Sequence, residues 1–112
     1  MKFDLEKFMG FEVGRGMSTT KCIKCAASYA LGVEVKPFEG TYARQLSSLH
    51  YYNTTNLFSE RCGREFGLAM DVAELMLIQH EPVEKIKKFV MEEAVKAGIV
   101  TPAEVKEHAC QV

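Results

Sequence analysis

Tryptophan is absent from this chain, proline occurs only three times, and neither sign of charge prevails: 14 Lys and Arg face 15 Asp and Glu, a net charge of −1. Such a balance argues against a nucleic-acid or membrane surface built on bulk electrostatics, which relies on clustered excess Lys and Arg. The first seven residues carry Lys2, Asp4, Glu6 and Lys7 with no long apolar run. They read as neither a signal peptide nor a spanning helix, and a cytoplasmic location is expected. Four cysteines are few for a secreted disulfide scaffold of 112 residues. In a reducing compartment they serve as buried small apolar groups, metal ligands or redox thiols. No repeat, linker or low-complexity tract follows Gly40, and the chain reads as a single domain, 1–112, long enough to bury roughly two thirds of its unfolded surface.

What is present is mostly helical signal. Phe3 to Met9 reads as a short helix with Asp4 near its start, interrupted by Gly10. Phe11–Val13 and Val33–Lys36 alternate and read as two short strands flanking a helix that is capped by Ser18, Thr19 or Thr20 and stops at Gly32, a miniature parallel strand-helix-strand unit. Pro37 ends the second strand. Helices are expected over Thr41–Tyr52 and Leu57–Gln79, separated by a cap-rich break at Asn53–Asn56. Another starts at Pro82 and ends at Gly98, and Thr101-Pro102-Ala103-Glu104 combines a capping box with a first-turn proline. The fold class is therefore mainly α, or α-dominated α+β, with four to five helices, one of them long, central and buried.

Chemistry concentrates between Gly14 and Cys25. Gly14, Gly16, Ser18, Thr19, Thr20 and Lys21 place flexible backbone, hydroxyls and a cation ahead of a helix, whose N-terminal N–H groups favour an anion such as a phosphate-bearing small ligand. Neither the Walker spacing nor the third glycine of the dinucleotide fingerprint is present, which argues against a nucleotide-triphosphate enzyme. Cys22 and Cys25 form a C-x-x-C, and three readings follow. Zinc would take both thiolates and add ligands from Cys62, Cys110, His50, His80 or His108. Thiol–disulfide chemistry would draw on the helix N-terminus and the flanking Lys21 and Lys24 to favour a thiolate, although no long apolar strand precedes the motif. The third reading makes both cysteines core residues.

The segment Phe66 to Ile78 is apolar around most of its circumference, and it calls for cover on most sides. Its exception is the stripe Gly63, Gly67, Asp71, Glu74. Asp71 and Glu74, one turn apart, have the spacing to share a divalent cation or act as acid and base, yet they lack the matching Glu-x-x-His partners and read as a solvated stripe. So much apolar surface in a short chain favours a homodimer packed through this helix. Nothing pairs a histidine with a cysteine as a nucleophile, and only Lys106 on the last helix would face DNA, so neither an enzyme nor a nucleic-acid binder is the leading reading. The sequence as a whole reads as a small cytoplasmic homodimeric binding or regulatory module, its ligand or partner surface around residues 14–25, with a zinc-binding or redox C-x-x-C protein and a binder of a phosphate-bearing ligand as alternatives.

Overall fold

A computed structural model describes residues 3–15, 19–33, 38–39 and 49–110. Six helices account for most of them: α1 (Leu5–Gly10), α2 (Ile23–Ala30), α3 (Leu49–Cys62), α4 (Arg64–Ile78), α5 (Val83–Lys96) and α6 (Pro102–Cys110). The mainly α architecture read from the sequence is what the structure has. None of these helices is long and apolar enough to cross a membrane.

Local signals explain the ends. Asp4 caps α1, its Oδ1 accepting from the Lys7 N–H at 3.2 Å. The capping box at α6 is formed in both directions: the Glu104 N–H donates to Thr101 Oγ1 at 3.2 Å and the Thr101 N–H to Glu104 Oε1 at 3.2 Å. At the C-terminus of α5 the N–H groups of Gly98 and Ile99 reach back to the carbonyls of Val95 and Ala94 at 3.0 and 3.1 Å, the six-to-one and five-to-two pattern that closes a helix. Helix α4 ends the same way with His80, at φ 63, in the position glycine usually takes.

Two expectations are corrected. The break between the third and fourth helices is not at Asn53–Asn56, which lie inside α3, but at Gly63, whose φ of 97 a side chain would resist. Apolar periodicity runs across that glycine without interruption and hides the break. The strands are also different. Gly14–Arg15 (β1), Thr19–Lys21 (β2) and Phe38–Glu39 (β3) form a three-stranded antiparallel sheet in the order β1-β2-β3, with Arg15 opposite Thr20 and Thr20 opposite Phe38. No parallel strand-helix-strand unit occurs among the described residues. Phe11–Val13 precede the first strand, Val33 is not in one, and residues 34–37 and 41–48 of the expected elements lie outside the described residues.

The core is built on phenylalanine. The Phe3 and Phe8 rings meet tilted at 57° with centres 5.3 Å apart, Phe3 meets Phe66 edge-on at 6.3 Å, and Phe58 meets Phe66 edge-on at 6.0 Å. This run of rings ties α1, α3 and α4 together, and Ile23, Met70, Leu77, Ile86 and Val90 fill in around it. Each such side chain contributes about 1.5–3 kcal/mol by leaving water. Helix α2 lies against α1, α3 and α4 with one face and nearly all of its circumference buried.

Candidate dithiol site

Helix α2 begins with an extended residue, Cys22 (φ −82, ψ 173), at its N-cap, so Cys25 occupies the third helical position. These are the two positions whose side chains face each other in a capping box, which is why the thiols meet. The Cys22 thiol donates to Cys25 Sγ at 3.5 Å, and both residues are 2% exposed. A disulfide needs the sulfurs at about 2.05 Å.

Cysteine is a poor N-cap, and Cys22 makes no capping hydrogen bond from its side chain. The acceptor comes instead from across the core. Glu74, on α4 and 1% exposed, takes the Lys24 N–H on Oε1 at 3.0 Å, which places a carboxylate at the N-terminal turn that carries both cysteines. The Lys24 side chain, 0% exposed, pairs with Asp71 Oδ1 at 2.7 Å, and Asp71 keeps 34% of its side chain in water. Ser28 Oγ completes the polar face by donating to the Lys24 carbonyl at 2.8 Å. Two carboxylates one turn apart on α4 thus hold the backbone and the side chain of a single residue of α2.

The electrostatics follow from these contacts. The hydrogen bond from Cys22 draws the Cys25 thiol below its ordinary value, against burial and the charge of Glu74, which push it up. Partial positive charge at the helix start acts in the same direction as the Cys22 bond. Burial pushes the Cys62 thiol up, the opposite behaviour.

The other expected site residues fall as follows. Gly14 is in β1 and Thr19, Thr20 and Lys21 are in β2, and the N-cap of α2 is Cys22, not one of the expected hydroxyl residues; Gly16 and Ser18 lie outside the described residues. Of the four cysteines read as zinc ligands, Cys22 and Cys25 come together, Cys62 sits half-buried on α3, and Cys110 is the last residue of α6 with its side chain outside the described residues. The side chains of His50 and His108 are outside them too, and His80 is an exposed helix-end residue. Zinc asks for four ligands, and among the described residues no group of three or more His, Cys, Asp or Glu is arranged to hold a metal.

Asp71 and Glu74 are corrected most. They are the polar centre of the α2–α4 interface, and Gly67 of the same stripe faces Ser59 on α3. One signal in the sequence points there, acidic residues set in an otherwise apolar helix. The chain matches no family model, no curated protein and no solved structure.

Proposed function

We propose that this chain is a cytoplasmic thiol protein whose Cys22–Cys25 pair interconverts between dithiol and disulfide. The observation that carries this reading is the 3.5 Å approach of the two thiols at the N-terminus of α2, one donating to the other. The Cys25 thiolate, which the Cys22 hydrogen bond stabilises, attacks a sulfur of a low-molecular-weight disulfide and expels one thiolate. Cys22 then loses its proton, attacks Cys25 Sγ and expels the second, so that two thiols are oxidised and one disulfide is reduced to two. Because both cysteines are 2% exposed, attack waits on a local opening of the turn. A redox titration against glutathione, with alkylation and mass spectrometry, tests this. The expected result is a reversible Cys22–Cys25 disulfide, lost in Cys22→Ser and in Cys25→Ser while Cys62 stays alkylatable. Two thiols that remain reduced at every poise would overturn it.

A second reading, a homodimer through α4, is favoured by Leu68, Val72, Leu75 and Ile78, large apolar side chains left 38–54% exposed along one line of that helix. Covering them with the same stripe of a second copy would make a two-fold interface. Leu68→Glu with Leu75→Glu should then shift the chain from dimer to monomer in sedimentation while its helical circular dichroism at low temperature stays nearly unchanged, since neither residue is in the core. Sedimentation of the unaltered chain as a monomer at all concentrations would dismiss the dimer.

A further inference from the structure

Closing a buried dithiol releases protons where little water is at hand to take them, and a carboxylate stands at the same turn. Glu74 accepts the N–H of Lys24, the residue between the two cysteines' turn positions, at 3.0 Å and is 1% exposed. Burying a carboxylate is costly, and a capping acceptor alone would be served by Ser, Thr or Asn at position 22. We infer, building on the dithiol reading above, that Glu74 accepts the Cys22 thiol proton as the disulfide closes and returns it on reduction. Before oxidation that proton is held toward Cys25 Sγ. Once Cys25 is bonded to a sulfur of the oxidant it no longer offers a thiolate, and the Glu74 carboxylate on the Lys24 N–H takes over as base; Cys22 then attacks as thiolate, the second glutathione thiolate leaves, and Glu74 keeps the proton until the disulfide is reduced.

Among the described residues, the charged and titratable groups of this turn are Cys22, Lys24 and Cys25 from α2 and Asp71 and Glu74 from α4. Lys7 of α1 lies over the Tyr29 ring near the other end of α2, and Glu60 and Arg61 of α3 are exposed. Asp71 positions the centre by holding Lys24, and its partial exposure gives the proton a polar side toward solvent.

The test oxidises the full chain with oxidised glutathione, quenches with acid, and follows the Cys25–glutathione mixed disulfide by mass spectrometry in the unaltered chain and in Glu74→Gln, whose amide oxygen still accepts from Lys24. The expected result is a resolving step about a hundredfold slower at neutral pH in the variant, the scale of one general base, with the difference vanishing at alkaline pH, where hydroxide deprotonates Cys22. Equal rates at every pH would reduce Glu74 to a helix cap and overturn the inference while leaving the dithiol reading standing. If Glu74→Gln does not fold, carbon-13 titration of the Glu74 carboxyl in the unaltered chain decides: different midpoints in the dithiol and disulfide states support the proton transfer, and one common midpoint overturns it. Absence of any Cys22–Cys25 disulfide overturns both readings together.

Discussion

Gly67→Leu unfolds the protein. At this position α4 passes α3 so closely that a Cβ would lie 3.2 and 3.3 Å from the backbone N and Cα of Ser59 and would overlap its Oγ. The hydroxyl can rotate away, so Gly67→Ala costs about 1–3 kcal/mol, the usual range for overpacking. Leucine has no such escape, because the remaining contacts are backbone and Gly63 alone joins α3 to α4. A loss above about 4 kcal/mol is expected, most of the stability of a domain with the common 5–15 kcal/mol. Urea denaturation followed by circular dichroism reads this directly. A leucine variant as stable as the parent would mean that α3 does not pack here.

Asp71→Ala costs about 3 kcal/mol, with the Lys24→Met, Asp71→Ala double variant recovering most of the loss. Lys24 is wholly buried, so Asp71→Ala takes away a carboxylate that its ammonium meets at 2.7 Å, and breaking a buried pair from one side typically costs about 3–5 kcal/mol. The lower end applies because Asp71 is 34% exposed and part of the pair's attraction is screened by water. Methionine has similar length and no charge to strand. Chemical denaturation of the four members of this cycle measures the coupling. Additive losses, with no recovery in the double variant, would show that the pair contributes nothing beyond its two side chains.

Sequence reasoning succeeded where structure is decided locally. Asp4, the Thr101–Glu104 box and the turns after Gly32 and Gly98 each settle their own backbone within four residues, and each is where the pattern put it. It failed where a distant partner decides. Thr19 and Thr20 look like helix caps, yet β3 pairs with them across residues 21–37 and draws them into a sheet. Glu74 looks like a solvated acid because the N–H it serves is 50 positions away. The break at Gly63 is hidden for another reason: Phe58 and Cys62 before it and Phe66 and Met70 after it keep one helical spacing, so only the backbone angle marks the turn.

The candidate site was half legible. The C-x-x-C and its place at a helix start were visible, as was the pair of carboxylates, but nothing in the spacing joined one to the other. Long-range contacts of that kind leave no period in a single sequence.

Lys87 adds a dimension of time. Its ammonium donates to the carbonyls of Met9 and Phe11 at 2.9 and 2.8 Å, closing the end of α1 from a position 78 and 76 residues further along. A helix of six residues does not persist in water on its own. On a ribosome α1 is made before α5, so the two carbonyls at its end gain the Lys87 ammonium only once α5 has emerged. Synthesis runs from α1 towards α6, so the ammonium that closes an early helix is supplied by a later one.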